Sequence, residues 1–319
     1  MSQPKYIVIG AAILDILARP VDASVFETGS LPAGTITMHT GGDAMNEARV
    51  LADLGADVSL VSKVGTDPAG DLVLSACKDL HVDTTYIRRN AAIPTGTNIV
   101  LVDQKGERSF ITCPDSTLRK FFPKDVPDAA LKGGDILSFA SIFVSPHFGN
   151  RELADLFSRA REAGLTVCAD MTKRKKGETI QDMRECLSYL DYVFPNYEEA
   201  ALLTGEKDFD RIGDAFLYCG TGHVVIKAGA KGCYVCTEGL RFWSPAYEQA
   251  RCIDTTGAGD TFTGCFLYAL GQGFSLENCA RFANAGASLC IEQTGAVGAG
   301  TNIQKIIKRG CRLIPNFNP

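Results

Sequence analysis

Short apolar runs recur along the chain at intervals that leave room for a helix between them. The first, Tyr6 to Ile9, is β-branched and ends at Gly10, which is how a parallel strand covered on both faces reads. Val58–Val61, Asp135–Phe139, Thr166–Ala169, Tyr192–Phe194 and Val224–Lys227 repeat the pattern. Helical spacing separates them, as in Arg151–Ala163 and Asn196–Thr204. Strand and helix in alternation predict βαβ units and an α/β fold: a doubly wound, mostly parallel sheet with helices on both faces.

Two stretches break this rhythm. From Ala12 to Thr40 no long helix is evident, and from Thr97 to Cys113 an alternating run turns at Asp103-Gln-Lys-Gly106 and returns as a β-hairpin would. Spacing alone leaves two readings open: a small second sheet placed to cover a site, or plain edge structure. The length of 319 residues fits one domain or two, and no internal repeat, low-complexity tract or long linker divides it.

Composition narrows the function classes. With 45% hydrophobic and 22% charged residues the chain can bury a large core. A net charge of −5 supplies no general pull toward nucleic acid or anionic lipid. No apolar stretch approaches the roughly 20 residues needed to cross a bilayer. The 12 cysteines are scattered, and nothing resembling a signal peptide precedes the first strand, so a reduced, cytoplasmic setting is expected. Cys233 and Cys236 fall on a strand, where residues three apart face opposite ways, and no second ligand pair sits at metal spacing. The Lys173–Lys176 run reads as a solvated loop.

Candidate chemistry lies in two glycine motifs. Asp254-Thr-Thr-Gly-Ala-Gly-Asp260 precedes a helical pattern (Phe262, Phe266, Ala269, Leu270). Gly257 and Gly259 free the turn of Cβ atoms, so backbone N–H groups can converge on an anion at the positive end of that helix. A carboxylate beside such a cradle can take a proton from an alcohol while the N–H groups stabilise a transferring phosphoryl group. The plainer reading of Asp260 is a helix cap. Gly41-Gly42-Asp43-Ala44-Met45-Asn46 opens a second helix, where Asn46 offers a donor and an acceptor suited to a sugar hydroxyl. Asp15, just after the first strand, would sit at a carboxyl end of the sheet or serve only a turn.

Together GGDAMNEARVLADLG and DTTGAGDTFTGCF, with VGTDPAGD at Val64–Asp71 between them, resemble the signatures of the ribokinase (PfkB) carbohydrate kinase family in content, order and separation. The resemblance runs from Lys5 to about Gly300 and implies one ribokinase-like domain over 1–319, with a β lid formed by insertions at about 12–40 and 95–115. It implies Asp260 as catalytic base and Gly257, Ala258 and Gly259 as the anion hole. Asp15, Gly41, Gly42 and Asn46 would hold the sugar. Asn196 and Glu199, which also form a capping-box pattern, would organise Mg²⁺ and the phosphates of ATP through water. Lys227 to Gly229 would lie along ATP, and Asn284 would contact the nucleotide. A monovalent cation such as K⁺ would use Asp254 and Thr256 with carbonyls near Gly295. Members of the family pair through the lid sheet, so a homodimer is implied as well.

No GxxxxGK[ST] sequence exists, which excludes a P-loop kinase, and no GxGxxG follows the first strand, which takes the main support from a dinucleotide dehydrogenase. Gly106-Glu-Arg-Ser-Phe110 resembles the lid hairpin of fructokinases and 2-keto-3-deoxygluconate kinases, where an Arg such as Arg108 faces the substrate. Asp170-Met-Thr-Lys-Arg174 resembles their D-x-N-x-R segment, with Thr172 in place of Asn. The Glu common after this strand in ribokinases is absent beyond Leu137–Phe143. The expectation is ATP- and Mg²⁺-dependent phosphorylation of a primary hydroxyl on a sugar or sugar acid. Ribokinase, nucleoside or vitamin kinase activity, or a silent sugar-binding homologue, are the alternatives.

Overall fold

The structure is a computed structural model that describes residues 3–293 and 302–311. Its strands are β1 (Lys5–Gly10), β2 (Ile13–Arg19), β3 (Thr35–Gly41), β4 (Asp57–Gly65), β5 (Ile87–Asn90), β6 (Thr97–Val102), β7 (Arg108–Thr112), β8 (Ile136–Ile142), β9 (Thr166–Met171), β10 (Tyr192–Phe194), β11 (His223–Lys227), β12 (Cys233–Cys236) and β13 (Arg241–Ser244). Nine of them form the main sheet in the order β13-β12-β11-β10-β9-β8-β1-β4-β5. Pairing is parallel from β11 through β5, and β12 and β13 add an antiparallel edge.

The run Tyr6–Ile9 shows why apolar residues dominate the first strand. Tyr6 and Val8 pack into one core with helices Asp43–Asp53 and Ala258–Gly271, whereas Ile7 and Ile9 pack into the opposite core with Asn150–Glu162. Each buried aliphatic side chain removed from water contributes about 1.5–3 kcal/mol, so both faces favour the apolar run. Cys233 and Cys236 likewise enter opposite cores, and the eleven cysteines from Cys77 to Cys290 are free thiols.

Parallel strands share one carboxyl-terminal edge, and there the polar residues collect. Asp170 is the second-last residue of β9, Lys227 ends β11 and Asn196 follows β10 by two residues. In β8 the register with β9 shifts between Phe139 and Ile142, and Ser141 (φ 71°) adopts left-handed backbone there. A bulge of this kind re-aims a side chain at a sheet rim.

The two stretches without long helices make a second sheet of order β3-β2-β6-β7. Asp15 is part of its strand β2 rather than of a turn after β1. Register aligns His39, Asp15, Asn98 and Thr112 on one face, and Met38, Ile16, Ile99 and Ile111 on the other. Among the described residues no helix is long and apolar enough to cross a membrane.

Candidate active site

The two glycine turns meet. Gly257, in left-handed backbone at φ 72°, starts helix Ala258–Gly271, and Gly42 starts helix Asp43–Asp53. Asn46, in the first turn of the latter, donates from Nδ2 to Asp260 Oδ2 at 2.7 Å. At Gly41 a Cβ would stand 2.3 Å from Asp15 Oδ2, so the bare backbone there lets the Asp15 carboxylate approach the same corner.

Asp260 faces a cavity of about 620 Å³ that it shares with Asp43, Asp170, Glu199 and Lys227. Lys227 Nζ donates to Asp170 Oδ2 at 2.5 Å, and Thr263 Oγ1 donates to the same oxygen at 2.9 Å. The ammonium also lies 3.5 Å from where a Cβ of Gly259 would be, against the Gly257–Gly259 turn. Burial opposes its charge, but Asp170, Glu199 and Asp260 outweigh that and hold it above the ordinary lysine range.

One ammonium among several carboxyls leaves negative charge in excess. Burial, then the nearby Asp43, push Asp260 up to about 8, although the Asn46 hydrogen bond favours its anion. Glu199 is pushed up to about 7 by burial, with Asp170 and Asp43 adding to it against Lys227. Burial also raises Asp43, opposed by a hydrogen bond from Ser141. Beneath them Glu47 is fully buried, accepts from Ser138 Oγ at 2.6 Å, and is raised well above the carboxylate range by burial and Asp170.

Such a rim fits a divalent cation, which would relieve the crowding that now keeps protons on these groups. Among the described residues no three carboxylate, imidazole or thiolate groups converge closely enough to ligate a metal directly, so water and phosphate oxygens would complete its shell. Asn196 and Glu199 do form a reciprocal cap, Glu199 N donating to Asn196 Oδ1 at 2.9 Å and Asn196 N to Glu199 Oε2 at 2.8 Å. Both line the cavity, as do Gly229 and Asn284. Asn284 Nδ2 is held by the Ser244 carbonyl at 3.0 Å. Ala258 also lines the cavity, and its N–H bonds Thr255 O at 3.2 Å.

On the small sheet Asn98 Nδ2 donates to Asp15 Oδ1 at 2.9 Å. Burial raises Asp15, opposed by that bond and by the charges of His39 and Arg108. Two buried acceptors in this corner, Asn46 Oδ1 and Asn98 Oδ1, have no partner, and a sugar hydroxyl would satisfy either. Arg108 has its guanidinium on Asp254 Oδ2, at 2.5 Å, and on Thr256 Oγ1. The side-chain oxygens assigned to a monovalent cation are therefore engaged by Arg108 and do not fit one. The Gly295 region lies outside the described residues.

Motif reading gives Asp43 and Asp170 no role, although both stand in segments it singles out, and it passes over Asn98. Asp170 and Asn98 carried a signal, since each is a polar side chain in a mostly apolar strand.

A profile of the pfkB family carbohydrate kinases matches residues 3–302. Ribokinase of Arabidopsis thaliana is 30% identical over 96% of this chain and 80% of its own length. The 2-dehydro-3-deoxygluconokinase of Escherichia coli is 29% identical over 81% of this chain and 89% of its own. The structure of Arabidopsis thaliana ribokinase complexed with ribose and ATP superposes with a TM-score of 0.82 at 27% identity, covering 97% of this chain and 99% of that one. The paired turns thus sit in a ribokinase-like fold along nearly the whole chain, and this protein belongs to the pfkB family of carbohydrate kinases, phosphotransferases with an alcohol as acceptor.

Proposed function

We propose that the enzyme transfers the γ-phosphoryl group of ATP to a primary hydroxyl of a sugar or sugar acid, in the manner of a fructokinase or 2-keto-3-deoxygluconate kinase, with Asp260 as general base. The observation that carries this reading is the 2.7 Å contact between Asn46 and Asp260, which joins the sugar-side turn to the phosphate-side turn.

Asp260 takes the hydroxyl proton as the oxygen attacks phosphorus. A carboxyl raised to about 8 is a stronger base than an ordinary aspartate and remains partly ionised near neutrality. Asn46 fixes its orientation and leaves the other carboxylate oxygen for the substrate. The turn Gly257–Gly259 at the positive end of helix Ala258–Gly271, with the Lys227 ammonium beside it, stabilises charge on the transferring group. Magnesium, positioned by Asn196 and Glu199 with Asp43 and Asp170 alongside, would neutralise phosphate charge.

Asp15, Gly41, Gly42, Asn46 and Asn98 form the sugar pocket, and Arg108 closes it from β7. In this reading Lys227 to Gly229 and Asn284 border ATP. The small sheet acts as a lid that keeps water from the phosphoryl group. Its outer row Met38, Ile16, Ile99 and Ile111 is the face through which two copies would pair, Met38 and Ile111 being more than half exposed. The eleven free thiols from Cys77 to Cys290 suit a cytoplasmic enzyme.

Ribose is the second reading, favoured by the 30% identical relative named ribokinase and opposed by the lack of a Glu after β8. A panel of fructose, 2-keto-3-deoxygluconate, ribose, adenosine and pseudouridine with coupled detection of ADP separates the readings. Fructose or the keto acid is expected to give the highest kcat/KM. ADP release no faster than without acceptor, for every compound, would overturn the assignment.

A further inference from the structure

The turn that begins at Asp254 is closed by a residue of the small sheet. Arg108, the first residue of β7, directs Nη2 to Asp254 Oδ2 at 2.5 Å and Nη1 to Thr256 Oγ1. The second oxygen of Asp254 accepts from Thr256 N at 3.0 Å and from Thr256 Oγ1 at 2.7 Å. Thr256 Oγ1 therefore donates a hydrogen bond to Asp254 and accepts one from Arg108. The guanidinium and carboxylate are only 24% and 10% exposed. Away from water opposite charges are least screened, and a second cation beside the first is most strongly repelled.

A monovalent metal ion needs oxygen lone pairs directed at a shared empty volume. Here both carboxylate oxygens of Asp254 and the Thr256 hydroxyl are committed, and the charge they face is already positive. We propose that the Arg108 guanidinium is a built-in substitute for a monovalent cation at this turn. Its charge reaches the turn only when the small sheet is seated, which couples seating of the sheet to the electrostatics of the phosphate-side turn. The catalytic consequence rests on the kinase reading above, and the electrostatic claim concerns the turn alone.

The test compares the protein in KCl and in tetramethylammonium chloride at equal ionic strength, reading both thermal midpoint and sugar-dependent ADP release. The wild type is expected to show no difference in midpoint and less than a twofold difference in rate. Arg108→Gln, which keeps polarity but removes the charge and withdraws the side chain from Asp254, is expected to gain a K⁺-specific rise in midpoint of several degrees, and a several-fold activation by K⁺. A K⁺-specific rise in the wild-type midpoint, or several-fold activation of the wild type, would overturn the proposal. So would an Arg108→Gln protein as indifferent to K⁺ as the parent. The midpoint needs only folded protein, so it reads the turn even if no sugar in the panel is phosphorylated, and failure of the two readings stays distinguishable.

Discussion

Asn46 and Asp260, 214 residues apart in sequence, are joined by a 2.7 Å hydrogen bond in which the amide donates to the carboxyl. This bond favours the anion of Asp260 while burial and Asp43 favour the acid. Asn46→Ala removes the one contribution that lowers the proton affinity without a charge. The alkaline-rising limb of kcat/KM is therefore expected to move to higher pH, with a loss of about 10–100-fold in kcat/KM at neutral pH. A rate loss with an unmoved pH profile would mean that Asn46 serves only the fold or the sugar.

The same crowding sets a dependence of stability on pH. Asp260 at about 8 and Glu199 at about 7 hold protons in the folded chain that the unfolded chain, with carboxyls near about 4, has released. The folded state then binds more protons, so without ligands stability falls as pH rises from 6 to 8 and levels off above. Each proton held contributes at most about 1.4 kcal/mol per pH unit. Thermal midpoints of the ligand-free protein at pH 6, 7 and 8 measure the slope, and Asp260→Asn is expected to flatten it. A midpoint that rises over this range would contradict the charge balance described for the rim.

Asn98 is held by Asp15, and its second polar atom is buried and unpartnered. Asn98→Leu preserves the volume but leaves Asp15 without its donor and the sugar without an acceptor. An unmatched buried polar group costs about 1–3 kcal/mol. The KM for sugar is expected to rise about 10–100-fold, with the KM for ATP unchanged, by steady-state kinetics varying each substrate in turn. Equal change in both constants would place Asn98 in the scaffold instead.

The main sheet was legible because its strands are buried on both faces, so that Tyr6–Ile9 and Val224–Ile226 stand out as unbroken apolar runs. Strand β5, Ile87–Asn90, escaped because it lies at the sheet edge and reads Ile-Arg-Arg-Asn, with Arg88 and Arg89 turned to solvent. The position of Asp15 was misjudged for a related reason: two residues, Ala11 and Ala12, suffice to leave β1 and start β2 in another sheet. Motifs pointed to groups within one turn, such as Asp260 and Asn196, and both line the cavity. They could not reveal pairings made by topology, such as Arg108 with Asp254, because nothing local in either segment announces the other.

The most direct measurement follows ADP formation by the wild type and by Asp260→Asn with the best acceptor of the panel, alongside nucleotide binding by calorimetry. With Asp260 as the base, Asn at this position keeps the Asn46 contact and the nucleotide affinity within a few-fold, while turnover drops by about 10²–10⁴. An Asp260→Asn enzyme that phosphorylates the sugar within tenfold of the wild-type rate would contradict that role for Asp260.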